Sequence, residues 1–429
     1  MTVHSRLLSS VASWNDWWHR PYGDPARVHR FQAEQIRWLV ARAVNVPYYA
    51  ALFRNAGFKA EDIRDVSDLR HVPVSSKRDF LETPIEHLMT PGTDLNSCLI
   101  LHSSGSTGEP SVIVRSHPEQ RTLRLYALRA ALQADAEPWE RRAFIRTDVF
   151  KPTALQQAGM FPFVNISSRQ DMDLILADLH RLRPEIICSF PHLLVRLALE
   201  YTSREKRFLN VRRVVASGET FTPTDCEVVH EAFGCDVFDA YGLQQCELAA
   251  WDCPYCGLYH LSEDSVIVEV LVGDRPAQPG EEGRAVYTPL HSLTAPLLRF
   301  ETGDLVRLPK RPRPCRIRFR QVESFVGRRR SYLPTPENTW ISPIALTNAI
   351  RKVSGLGWFQ IQQPALDRVV VLYEALRGSN GEVKGRIPET LQSFFPPSMD
   401  LTAQAANSFE FTPGGKLQTV QPFRAQGGS

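Results

Sequence analysis

The sequence predicts an α/β protein: a large N-terminal domain with a parallel α/β core and a β-rich subdomain, followed by a small mobile α+β C-terminal domain. Three observations carry this expectation. Between 170 and 250 the hydrophobic pattern alternates helix with strand, which implies parallel strands joined by crossover helices. After residue 260 strands follow one another without intervening helices. From Gly327 onward, beyond a stretch dense in arginine and proline, a helix and strands are mixed.

At 429 residues the chain exceeds one ordinary domain. The expected division is 1–326 and 327–429. With 43% hydrophobic and 23% charged residues the composition is that of a globular protein, which excludes disorder and fibrous repeats. A net charge of +3 selects no partner. No apolar run approaches the ~18–20 residues needed to span a bilayer, and the N-terminus lacks the pattern of a secretory signal. The expectation is a soluble, cytoplasmic enzyme with no membrane partner. Eight cysteines are too sparse for a disulfide scaffold, and their crowding from Cys246 to Cys256 points to metal.

Element by element, Phe31, Ile36, Leu39, Val40 and Ala43 give 26–44 one apolar helical face, ending before Pro47. Trp14, Trp17 and Trp18 read as a packed N-terminal cap. Met172, Ile175, Leu176, Leu179 and Leu182 mark a helix, 185–189 a buried strand, and Pro191 opens a helix to about Tyr201. Strands at 211–216 and 235–240 flank a helix at 223–233. The β-rich part has strands at 265–272, 283–288 and 297–300. Residues 310–330 read as an exposed connector. One helix at 343–353 and strands at 358–362 and 368–375 complete the chain, without internal repeats.

The segment Ser103, Ser104, Gly105, Ser106, Thr107, Gly108 follows an apolar run at 98–101. Glycines let backbone N–H groups approach an anion, and hydroxyls add donors that can follow a phosphoryl group. No Gly-Lys-Ser/Thr triplet closes the loop, so it is not a Walker loop. Further on come Ser217-Gly218-Glu219, Asp239-Ala240-Tyr241-Gly242-Leu243, Glu301-Thr302-Gly303-Asp304, Gly327-Arg328 and Gly414-Gly415-Lys416. This ordered set resembles the adenylate-forming superfamily of acyl-CoA synthetases and adenylation domains, and within it the phenylacetate-CoA ligase-like branch. Val46-Pro-Tyr-Tyr49, Ala56-Gly57 and Val72-Pro-Val-Ser-Ser-Lys77 are similar to that branch's opening segment, so the similarity covers nearly the whole chain.

The resemblance implies attack of a small-molecule carboxylic acid, by preference aryl or arylacetic, on the α-phosphorus of ATP. An acyl-adenylate and pyrophosphate result, followed by thioester formation with coenzyme A. It implies that the loop around Ser106, Thr107 and Gly108 cradles the phosphates, that Gly218 and Glu219 line the nucleotide site, and that Asp239, Ala240, Tyr241 and Gly242 read adenine. Asp304 would accept the ribose hydroxyls, Arg328 would contact ribose or phosphate, and Lys416 would bridge the carboxylate and the α-phosphate. Phe161, Phe163, Phe190 and Tyr241 are either acid-pocket aromatics or core packing.

Two positions depart from the pattern. Gln245 stands where the family usually has a glutamate for Mg²⁺, and a neutral carbonyl is a weaker ligand for a hard cation. Glu247 as substitute, retention of the metal by ATP phosphates, and impaired adenylation all remain open. After Arg328 the chain reads Arg329-Arg330-Ser331 in place of a hinge aspartate.

Cys246, Cys253, Cys256, His260 and Cys315 offer five soft or borderline donors for a tetrahedral Zn²⁺, with Cys256 or Cys246 as the expected spectator. The resemblance supports such a set, which would be structural. A carrier protein or an amine as acceptor, and a degenerate nucleotide-binding member, stay open; a homodimer is a further expectation. The arginines between 311 and 330 suggest either a nucleic-acid-binding module or a face that meets coenzyme A phosphates; with the whole-protein charge near neutral and no recognition-helix pattern, no nucleic-acid partner is expected.

Overall fold

Five parallel strands form the α/β core: Phe163–Ser167, Arg142–Arg146, Ile186–Ser189, Arg213–Ser217 and Asp236–Tyr241, in that spatial order. The computed structural model describes residues 14–102, 112–147, 149–152, 154–204, 210–376, 379 and 382–424. The expected phosphate loop at 103–108, with Thr107, lies outside them. Two compact units emerge, one from 1–136 with 241–325 and the other from 137–240 with 326–429.

In the second unit the crossover helices are Met172–Leu182, Pro191–Arg204 and Pro223–Phe233. Thr222 and Asp225 form a capping box at the start of the last, and Gly234 ends it in the left-handed region. Ile186–Ser189 is buried at all four positions, as a strand covered on both faces must be. Ile145, Ile175, Leu179, Leu194, Leu197, Val214 and Val229 fill the layer between sheet and helices. Arg142–Arg146 and Phe163–Ser167 escaped the sequence pattern, because arginines shorten the first apolar run to three residues and Asn165 interrupts the second.

The carboxy-terminal part of this unit has a four-stranded sheet in the order Asp400–Ala405, Arg368–Ala375, Leu356–Ala365, Val420–Gln421. Pro343–Ile350 packs on it, together with a second helix, Val383–Leu391. The single helix expected here is therefore corrected to two among the described residues. Val383, Ile387 and Leu391 form a buried i, i+4, i+8 stripe, which Gly385 and the internal Pro388 had disguised. Arg351 pairs with Asp225 at 2.8 Å, and Arg196 with Glu374, tying this sheet to the crossover helices.

In the first unit, helices Pro25–Ala43 and Pro47–Ala56 pack beside the antiparallel strands Val266–Val272, Glu282–Pro289 and Phe300–Arg307. Trp17 meets Tyr126 edge-on and lies under Arg129, whereas Trp14 is exposed. The strand expected at 297–300 begins where it was expected to end. Arg299 sits at φ 46°, which breaks the ladder, and Leu298 gives its N–H to the Tyr49 hydroxyl. The exposed connector is also corrected. Ile317, Phe319 and Val322 are buried, alternating with outward arginines, and Gln321–Val322 pairs with Tyr259–Leu261. No helix among the described residues is long and apolar enough to cross a membrane.

Candidate functional site

Ligands of open parallel sheets bind at the carboxyl ends of the strands. At the end of Arg213–Ser217 the chain turns through Gly218, at φ 93°. A Cβ there would lie 3.3 Å from Lys416 Cε and 3.3 Å from the Phe190 ring, so the turn requires glycine. Glu219 follows. Its Oε1 accepts the Leu417 N–H at 2.8 Å, and His192 Nδ1 stands 2.9 Å from both carboxylate oxygens. Burial works against the Glu219 charge, but the His192 ring and the N–H donors of His192 and Leu417 outweigh it and hold the carboxyl below its usual range.

Lys416 sits in a turn bracketed by the Phe411–Leu417 bridge, and Thr147 Oγ1 donates to the Gly414 carbonyl at 3.1 Å. Arg146, at the end of its strand, donates to the Ser217 and Ser189 carbonyls at 3.2 Å and lies over the Phe190 ring. Gly327, beside Arg328, faces Thr220, whose Oγ1 would lie 3.5 Å from an added Cβ. Gly218, Glu219, Gly327 and Lys416 thus gather within one unit, and Asp239 and Ala240 lie on the strand beside Arg213–Ser217. Phe161 and Phe163 pack against Arg142 and Phe144.

Tyr241, Gly242, Gln245 and Asp304 belong to the other unit. The Tyr241 hydroxyl donates to Asp304 Oδ2 at 2.7 Å, and Thr302 Oγ1 donates to the same oxygen. Burial, then the Asp304 charge, push the Tyr241 phenol well above its ordinary value, so it stays a donor. Its ring lies flat against Phe325, with centroids 3.6 Å apart. Gly242 passes so close to the Glu247 carbonyl that a Cβ would come within 2.7 Å. Glu247 Oε1 accepts from buried Arg115 at 3.1 Å and from Gln120 at 2.9 Å. Gln245 is buried and lines a small cavity walled by Phe80, Val114, Leu297 and Phe300. A charged carboxylate in that apolar wall would carry a larger desolvation cost than the neutral amide, so the cavity favours glutamine over glutamate.

Cys253, Cys256, His260 and Cys315 bring their donor atoms within 4.8 Å of one another. The Cys253–Cys315 sulfurs are 3.7 Å apart, and His260 Nε2 lies 3.5 Å from Cys256 Sγ and 3.3 Å from Cys315 Sγ. A tetrahedron with metal–sulfur bonds of about 2.3 Å has edges of about 3.8 Å, so the spacing fits zinc. His260 Nδ1 is 2.8 Å from the Phe319 carbonyl, which fixes the proton there and turns the Nε2 lone pair toward the thiols. Burial pushes the Cys253 thiol up to about 12. Cys246 is not in the group. It packs with Leu243, Ala249 and Val266, so that of the two candidates for spectator it is Cys246 that lies outside and Cys256 that lies inside.

His192, Arg146, Arg115 and Phe325 were missed in the sequence. His192 had one signal, its place just after the end of Ile186–Ser189; the others are recognisable only from partners distant in the chain.

The model of the family described as AMP-binding enzyme matches residues 28–252, just over half of the chain. The chain belongs to the AMP-binding enzyme family. Among curated members, it is 24% identical to a phenylacetate-coenzyme A ligase of Thermus thermophilus, with 70% of each chain covered. It is 23% identical to one of Escherichia coli, over 65% of this chain and 66% of that one. Among solved structures it resembles 2-hydroxyisobutyryl-CoA ligase in the postadenylation state, with a TM-score of 0.79, 17% identity, and coverage of 95% of this chain and 92% of that chain. At this identity the structural likeness shows the fold, and it spans both units of this AMP-binding enzyme.

Proposed function

We propose that the chain uses ATP to activate a small carboxylic acid as its acyl-adenylate and then transfers the acyl group to coenzyme A. Lys416, brought against the Gly218–Glu219 turn in a chain of the AMP-binding enzyme family, is the observation that carries this reading. Names of the curated relatives and of the solved neighbour, all coenzyme A ligases, support it.

In the first step a carboxylate oxygen bonds to the α-phosphorus and the bond to the departing pyrophosphate breaks. Two anions must meet, and the Lys416 ammonium offsets their repulsion while charge grows on the α-phosphoryl oxygens. Asp304 accepts the ribose hydroxyls, with Tyr241 and Thr302 fixing its carboxylate. Ser103 to Gly108 hold the β- and γ-phosphates, and Arg328 contacts the ribose or phosphate. In the second step the thiol sulfur bonds to the acyl carbon and AMP leaves. Residues from 327 onward serve as the lid that carries Lys416.

Magnesium accompanies the nucleotide, held chiefly by ATP phosphates, since Gln245 is neutral and one Glu247 oxygen is engaged by Arg115 and Gln120. Zinc held by Cys253, Cys256, His260 and Cys315 would fasten the segment following Tyr241, with no part in the chemistry. The protein works in the cytoplasm. An aryl or arylacetic acid is the preferred substrate class, and coenzyme A is preferred over a carrier protein or an amine. Incubation with ATP, an acid panel and coenzyme A should yield AMP and an acyl-CoA by mass spectrometry. Adenylate that accumulates without thioester would transfer the reading to another acceptor.

A further inference from the structure

Glu219 was expected to line the nucleotide site, yet its hydrogen bonds run elsewhere. One carboxylate receives the Leu417 N–H, the His192 Nδ1–H and, at 3.3 Å, the His192 backbone N–H. It thereby joins the first turn of Pro191–Arg204 to the residue directly after Lys416. Leu417 is buried, so its N–H would lose a hydrogen bond without this acceptor. The His192 ring is fixed in turn, parallel to Phe190 and bordered by Trp358 and Phe411. Phe411 is the other end of the bridge that closes the lysine turn. Turn, imidazole and carboxylate therefore constrain one another, and the constraint acts one residue from the ammonium that the reaction requires.

We propose that Glu219 and His192 are positioning residues: a carboxylate–imidazole clasp that seats the Lys416 turn for adenylate formation and makes no contact with the nucleotide. This rests on the adenylation reading above. It assigns Glu219 to the lysine's placement, and His192 to holding Glu219 in the orientation that receives Leu417.

Two measurements on Glu219→Ala, Glu219→Gln and His192→Phe test it. The first is hydrogen–deuterium exchange of the Leu417 amide, which needs no substrate. Protection should be present in the parent protein, lost in Glu219→Ala, and regained in Glu219→Gln, whose carbonyl still accepts. Unchanged protection in Glu219→Ala overturns the clasp, whether or not the protein is a ligase. The second compares the half-reactions with an accepted acid. Glu219→Ala should lower kcat for pyrophosphate exchange on the order of a hundredfold, the loss that a misplacement of about 1 Å brings, with the KM for ATP and thioester formation from supplied acyl-adenylate unchanged. His192→Phe keeps the ring packing and should move the same parameter by less. A rise in the ATP KM at constant kcat would make Glu219 a nucleotide ligand, and an equal fall in both half-reactions would reduce it to a fold support; either overturns the proposal. If the parent protein exchanges pyrophosphate with no acid, the adenylation reading fails while the amide measurement still decides the clasp.

Discussion

Asp304 and Lys416 were both legible as residues, because each stands in a short motif whose order along the chain matches a known set. What the motif did not show is how each is held. Asp304 shares one oxygen between the Tyr241 and Thr302 hydroxyls, so its orientation depends on a residue more than sixty positions upstream. Replacing Asp304 with asparagine, whose carbonyl can still accept from Tyr241 and Thr302, should weaken ATP binding in calorimetry while leaving the thermal midpoint close to the parent value; unaltered ATP affinity would refute the ribose contact. Glu219 makes a different prediction. Its folded pKa lies below its ordinary value of 4.5, so its stabilising contribution is present at neutral pH and lost as pH falls through the acidic range. Urea unfolding as a function of pH should therefore show a shallower loss of stability on acidification in Glu219→Gln than in the parent, and parallel curves would contradict the assignment. His192 had no signal beyond its place after a strand end and Arg115 had none, because neither lies in a motif and both act on partners brought close only by folding.

At the scale of elements, the crossover helices, the buried strand at 186–189 and the half-buried strand at 213–217 were readable from their hydrophobic pattern, whereas Arg142–Arg146 was not, since arginine occupies both ends of a five-residue strand. The segment at 310–330 hid its structure for a related reason. Its arginines dominate the composition, yet Ile317 and Phe319 alternate with them and lie buried. This segment also delivers Cys315 to Cys253, Cys256 and His260, which the spacing of the first three residues could not establish. Purified protein should contain close to one zinc per chain, and chelation or Cys253→Ser should lower the thermal midpoint. Because burial holds the Cys253 thiol at about 12, protons compete strongly for the site, and metal should be released as pH falls. A metal-free protein of unchanged stability would remove zinc from the account.

For the whole molecule, the sequence announced an α/β core with a β-rich part and a small α+β part, and it identified the family. It could not announce the spatial order of the parallel strands, in which Arg142–Arg146 lies between Phe163–Ser167 and Ile186–Ser189, because strand order is set by the crossovers and leaves no local signature. Nor could it show that 137–240 and 326–429 form one compact unit, with Arg351 on Asp225 and Leu417 on Glu219. These long-range bonds anchor the glycine turn that carries the half-buried Lys416 beside the Gly218–Glu219 turn. In the proposed reaction this lysine serves acid-dependent cleavage of ATP. Incorporation of labelled pyrophosphate into ATP, measured across a panel of aryl and aliphatic carboxylic acids, tests it most directly: at least one acid should support exchange in the parent protein and none in Lys416→Ala, with ATP affinity retained. Exchange that persists in Lys416→Ala, or its absence with every acid in the parent protein, would contradict it.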